Sequence, residues 1–210
     1  MTARTGDHEF EVLDRVERFA GNVISVVSET VAMPGGRQSV RDYVRHTGAV
    51  ATVALDGSGR VILVRQYRHP VRRQVWELPA GLLDVAGEPA LATAKRELHE
   101  EADLTAARWH VLVDLLTTPG CSDEAIRVFL ARDLAPVPEH ERHDRHDEEA
   151  LMTSSWFGLD TAVDMVLRGE IENAACCAGL LAAARARDAG WSPLRPADSP
   201  WPAKPEVAEP

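Results

Sequence analysis

Residues 80–104 read AGLLDVAGEPALATAKRELHEEADL. Gly87, Glu88 and Pro89 mark a helix start, because proline's missing N–H would be unpaired in the first turn in any case. The helix is expected to run to about Ala102. Leu91, Ala94 and Leu98 recur at helical spacing and make a buried stripe, while Glu97, Glu100 and Glu101 share the other side. Like charges so spaced destabilise a helix by roughly 0.2–0.5 kcal/mol per pair. Hard divalent cations take oxygen ligands, typically one or two carboxylates with waters and substrate phosphates, and would neutralise the cluster. The competing reading is a solvated acidic face with Lys95 and Arg96 as counter-charges.

The wider pattern weighs against that reading. Glu88, seven residues, and then Arg96-Glu97-Leu98-His99-Glu100-Glu101 resemble the Nudix box, a glycine and a glutamate followed by R-E-U-x-E-E-x-G-U with U aliphatic. The chain departs from the box twice. Six residues separate Gly81 from Glu88 where the pattern has five, and Asp103 replaces a glycine. The extra residue falls in the loop and leaves the Glu88-to-Glu101 spacing intact. Asp103 is expected to close the helix in the left-handed conformation, which aspartate tolerates at a cost relative to glycine.

The resemblance implies an α/β Nudix fold, a mixed β-sheet sandwiched between helices. It implies Mg²⁺ or Mn²⁺ held by Glu97 and Glu101, with Glu100 contributing and the Ala80 carbonyl reaching in from the loop. Arg96 would be structural, pairing with carboxylates such as Glu88. The family hydrolyses nucleoside diphosphates linked to another group.

At 210 residues, with 45% hydrophobic content, the chain can bury a substantial core. A net charge of −10 and a pI near 5.3 argue against a nucleic-acid backbone or an anionic membrane as partner. No run reaches the length of a membrane span, and MTARTGDHEFEV lacks the apolar core of a signal peptide, so the cytoplasm is the expected setting. Cys121, Cys176 and Cys177 are an odd number, and adjacent cysteines on a helix diverge, which disfavours a disulfide framework.

Three divisions are expected: a β-rich lead-in at 1–46, a catalytic body at 47–190 and a Pro-rich tail at 191–210. In the lead-in, EVLDRVERF, NVISVVSETVAM and RQSVRDYVRH read as strands, the last two joined by Pro34-Gly35-Gly36. AVATVAL and VILVRQY read as central strands either side of Asp56-Gly57-Ser58-Gly59. QVWELPAG, HVLVDLL, AIRVFLA and SSWFGL read as further strands, with SSWFGL the last. Helices are expected over Thr161–Arg168 and from about Asn173 to Ala189. His140, His143 and His146 fall among alternating charges and read as solvated loop. Trp191 and Trp201 are placed to pin the tail to the surface.

Outside the box the chain resembles the ADP-ribose pyrophosphatases of this family. Pro119 lies fifteen residues past Leu104, and QYRHP, WELPAG, PGCSDE and GEIENAACCAG are close to that subfamily's sequences. By this resemblance Arg41 lies near the nucleotide, and Arg68 contacts the diphosphate or terminal ribose. Trp76 offers an aromatic wall, Glu77 a ribose or base contact, and Ser122, Asp123 and Glu124 ribose contacts. Glu149 is the candidate catalytic base, with Glu148 and the helix glutamates themselves as alternatives. The lead-in resembles the β-region through which such enzymes form homodimers; a sheet packed on its own domain is the alternative. The implied reaction is metal-dependent cleavage of ADP-ribose to AMP and ribose 5-phosphate. Another nucleotide sugar or an oxidised nucleotide is the alternative substrate. A non-catalytic ADP-ribose sensor would be expected to carry a DNA-binding module, and neither terminal region has the length or the basic charge for one.

Overall fold

In the computed structural model, residues 9–145, 151–192 and 194–203 are described. The lead-in folds as expected into an antiparallel meander, β1 (Val12–Ala20), β2 (Ile24–Met33) and β3 (Arg37–His46). Gly35 and Gly36 turn the chain between β2 and β3 with φ of 78° and 74°, a region that disfavours side chains with a Cβ. On β2, Val27 and Val31 are buried, as is Glu29, which accepts from Arg15 Nε at 2.6 Å and Tyr43 OH at 3.1 Å. Every residue of β1 is exposed, including Val12, Leu13, Val16 and Phe19.

The body holds a mixed five-stranded sheet. β4 (Ala49–Ala54) runs parallel to β9 (Ala125–Pro136) and antiparallel to β7 (Ala80–Leu82). β8 (Leu104–Leu116) pairs antiparallel with β9. Strand alternation gives the sheet two apolar faces. Val50, Val111 and Phe129 pack with Ala94 of α1 (Ala90–Ala102). Val53, Val128 and Leu130 pack with Cys176 and Leu180 of α3 (Ala174–Asp188). Gly179 lets α3 lie close, since a Cβ there would stand 2.8 Å from Leu78 Cδ1 and 3.1 Å from Val53 Cγ2. Asn173 caps α3 by accepting from Cys176 N at 2.9 Å.

The sandwich is as expected, but the single sheet is not. β5 (Arg60–Arg68) leaves β4 after the turn at Asp56–Gly59 and forms a separate antiparallel sheet with β6 (Arg73–Glu77) and β10 (Thr153–Gly158). Apolar runs identify strands without saying which sheet takes them, so the separation of AVATVAL from VILVRQY was invisible to periodicity. α2 spans Leu159–Leu167, beginning two residues earlier than expected, and Gly169 follows it with φ 74°.

SSWFGL is not the last strand. Arg195–Pro196 adds a short β11 to the β8 edge. The tail then crosses to the α1 face, where Ala197 and Trp201 pack against the cluster around Phe129. Buried Arg127 holds it there, donating to the carbonyl oxygens of Ser199 (2.7 Å) and Pro200 (3.0 Å) and to both oxygens of Asp114. Trp201 lies 4.8 Å from the Arg127 guanidinium and Trp191 4.5 Å from that of Arg132. Residues 194–203 therefore pack on the body, with Trp191 and Trp201 each against an arginine. Cys176 is buried, and burial pushes its thiol pKa up; all three cysteines are free. His140 is exposed, as expected of solvated loop, and His146 lies outside the described residues. Among the described residues no helix is long and apolar enough to cross a membrane.

Candidate active site

The loop after β7 and helix α1 meet as the sequence suggests, with one correction. Glu97, Glu100 and Glu101 do not form an open solvent face. Glu101 is buried and the Glu97 side chain is only 14% exposed, because β7 lies against the helix. Glu101 Oε2 accepts the Ala80 N–H at 2.8 Å, which ties β7 to α1. A Cβ on Gly81 would fall inside the Glu97 side chain, so only a glycine leaves room for that carboxylate.

Glu88 sits in the turn before the helix, accepting Thr93 Oγ1 at 2.8 Å and Arg96 Nη2 at 3.3 Å. The Arg96 and Thr93 bonds hold its carboxyl below the usual carboxylate range. Arg96 Nη1 also donates to Glu97 Oε1 at 2.6 Å and Glu100 Oε2 at 3.1 Å. Burial alone would lower the Arg96 pKa; the three carboxylates outweigh it and raise it. The repulsion expected along this helix is thus offset by one part-exposed guanidinium bridging Glu88, Glu97 and Glu100. In the loop before the helix Glu88 N donates to Val85 O at 3.1 Å, with Gly87 at φ 77°. Asp103 closes the helix at φ 53°, ψ 40°, as expected, and its carboxylate accepts Arg145 Nη2 at 2.9 Å.

This donor set is all oxygen and strongly acidic, which suits a hard divalent cation. The space that Gly81 leaves for the Glu97 carboxylate fits the same use. Among the described residues no group of three acidic, histidine or cysteine side chains is placed to hold a metal ion, and Arg96 stands among the acids, bonded to Glu97 and Glu100.

Beside the loop lies a cleft of about 670 Å³. Its floor is β4 and β7 at Ala49–Ala51 and Ala80–Leu82, and its walls include Arg68, Glu77, His46, Glu124 and Asn173. Glu77 is buried and fully engaged: it accepts Arg68 Nε at 3.0 Å, Arg68 Nη2 at 2.6 Å, Gln66 Nε2 at 2.9 Å and Asn173 Nδ2 at 3.1 Å. Its oxygens orient Arg68 at the cleft wall. Glu124 Oε2 accepts Thr117 Oγ1 at 2.5 Å.

Other anticipated residues are not brought to the cleft. Trp76 points to the opposite side of β6 from Glu77, edge-on to Phe157 at 5.2 Å and under the Arg65 guanidinium. Arg41 is exposed on β3 and donates to Ser39 Oγ and Val40 O. Ser122 and Asp123 knit the body to β3: Ser122 bridges to Val44, and Asp123 Oδ1 accepts the His46 N–H at 2.8 Å, while Ser122 Oγ accepts the Glu124 N–H at 3.0 Å. Glu148 and Glu149 lie outside the described residues. His46 and Asn173 are cleft residues that the sequence reading missed. Each sits at the boundary of an element, where neither periodicity nor spacing marks a side chain.

Residues 45–175 match the NUDIX domain model, and the chain belongs to the Nudix family as a Nudix hydrolase. It is 48% identical over 195 residues to an ADP-ribose pyrophosphatase of Mycobacterium tuberculosis, covering 93% of this chain and 92% of that one. It is 36% identical to an ADP-ribose pyrophosphatase of Bacillus subtilis, covering 79% of this chain and 88% of that one. A methanol dehydrogenase activator of Bacillus methanolicus is 34% identical, over 70% of this chain and 78% of its own. The crystal structure of an ADP compounds hydrolase superposes with a TM-score of 0.72 at 20% identity, over 87% of this chain and 97% of that one, and so shares the fold. Nudix hydrolases generally use divalent cations.

Proposed function

We propose that the chain hydrolyses the diphosphate of ADP-ribose to AMP and ribose 5-phosphate, using Mg²⁺ or Mn²⁺. The observation that carries the reading is the seat Gly81 leaves for the Glu97 carboxylate beside the cleft, with the Glu101 carboxylate on the Ala80 N–H. The names and coverage of the two ADP-ribose pyrophosphatases support the substrate. Glu97, Glu100, Glu101 and the Ala80 carbonyl would hold the cation, which when bound neutralises phosphate oxygens and makes a water easier to deprotonate. Arg96 holds Glu88, Glu97 and Glu100 in their directions, and Arg68, its Nε and Nη2 held by Glu77, stands at the cleft wall as the cationic contact for a phosphate or ribose oxygen. AMP and ribose 5-phosphate released in equal amounts is the expected product pair. Release of ADP with free ribose would overturn the assignment.

Glu149 is the base we assign for the attacking water. Glu149→Gln is expected to lower turnover by roughly 10²- to 10⁴-fold while metal still binds. A neutral effect there with a severe one for Glu148→Gln would move the role to Glu148.

The lead-in is read as a homodimer contact. Its support is the exposure of Phe10, Val12, Leu13, Val16 and Phe19 along the β1 segment. A solution mass near twice the 23.0 kDa of the chain is expected, and a mass of one chain would contradict it. The free cysteines suit a cytoplasmic setting, which fractionation of cells would test.

A further inference from the structure

Asp103 occupies a left-handed cap, φ 53° and ψ 40°, that glycine fills at lower cost and that the Nudix pattern gives to glycine. The aspartate is not idle there. Its carbonyl oxygen accepts the N–H of buried Val137 at 2.9 Å, and its carboxylate Oδ2 accepts Arg145 Nη2 at 2.9 Å. Arg145 Nε donates in turn to the Glu100 carbonyl oxygen at 2.9 Å, so the guanidinium also covers the C-terminal end of α1, where a cation is favoured. Each side chain of the pair is only 27% exposed, which sets it apart from a fully solvated surface contact.

Val137 and Arg145 are the two ends of a loop that begins where β9 stops at Pro136, and both ends are pinned on Asp103. Of the connection to β10, which starts at Thr153, residues 146–152 follow the second pin. Glu148 and Glu149 are three and four residues beyond Arg145. Four residues of chain span at most about 14 Å, so the Arg145 contact limits how far from the end of α1 the assigned base can stand.

We propose that Asp103 and Arg145 are positioning residues for the hydrolysis, a clasp that fixes where the chain leading to Glu149 departs from α1. The inference rests on the reading of Glu149, or its neighbour Glu148, as the base, and it accounts for an aspartate at a position where the backbone alone favours glycine. Both residues act through the carboxylate downstream and take no part in the chemistry.

The test measures kcat, KM and half-saturating Mg²⁺ for ADP-ribose hydrolysis, with a thermal melt, in Asp103→Gly, Arg145→Ala and Arg145→Lys. Asp103→Gly is expected to melt close to the wild type, because the left-handed cap gains its preferred residue as the ion pair goes. Its kcat should nevertheless fall by roughly 10- to 100-fold as the base is held less closely, with KM and the Mg²⁺ requirement little changed. Arg145→Ala should lose as much, and Arg145→Lys, which keeps one charged donor, should recover part. Added to whichever of Glu149→Gln and Glu148→Gln is slow, Asp103→Gly should lower kcat by less than about twofold more, because a disabled base cannot be further misplaced. Wild-type kcat in Asp103→Gly overturns the clasp and, with one glutamine variant slow, leaves the base reading standing. Equal losses from Asp103→Gly in the wild-type and glutamine backgrounds also overturn the clasp, since the effect then arises elsewhere in the molecule. If neither glutamine variant slows the enzyme, the base reading falls and the clasp's role with it.

Discussion

Glu97→Gln is expected to lower kcat by about 10²- to 10³-fold or more, with the unfolding midpoint little changed. The amide keeps the volume of the side chain beside Gly81 and removes the charge a cation needs. Arg96 loses one of three carboxylate partners and keeps Glu88 and Glu100. Losing one of three partners on a half-exposed guanidinium is worth about 1 kcal/mol at most. Turnover measured over a range of Mg²⁺ concentrations and a thermal melt separate the two effects. A variant with wild-type turnover would contradict the placement of the metal at this acid.

Gly81→Ala is expected to be nearly as severe, through geometry alone. The added methyl would occupy the space of the Glu97 carboxylate, and the glutamate must swing away. The cost to the fold is modest because the displaced group is a side chain. The cost to turnover is expected to reach about 10²-fold, since a ligand moved by an ångström no longer serves. Higher Mg²⁺ should recover part of the activity in Gly81→Ala and little in Glu97→Gln. If Gly81→Ala is fully active, Glu97 does not need the position in which it is found.

Helix α1 was legible in the sequence because each of its signals is local. Glu88-Pro89 start it, Ala94 and Leu98 bury one stripe, and Asp103 ends it. The burial of Glu101 was not legible, because it depends on β7 folding back over α1. The division into two sheets was hidden for a similar reason: β4 and β5 are equally apolar, and only their partners differ. Arg68 and Glu124 were found through resemblance and do line the cleft. Resemblance also supplied Trp76 and Arg41, and here the fold turns Trp76 to the other side of β6 and leaves Arg41 on the surface. Composition told little of the tail. Six prolines after Gly190 argue against regular structure, yet Arg127, far away on β9, donates to the carbonyl oxygens of Ser199 and Pro200.

The most direct test is hydrolysis of a panel comprising ADP-ribose, ADP-glucose, GDP-mannose, NADH and an oxidised nucleotide, with Mg²⁺ or Mn²⁺ and with chelator. Clear preference for ADP-ribose, abolished by chelator, is the expected result. Turnover that survives chelation would contradict the metal site, and metal-dependent preference for another compound would contradict the substrate while keeping the acid cluster. Binding of ADP-ribose without turnover would contradict catalysis itself.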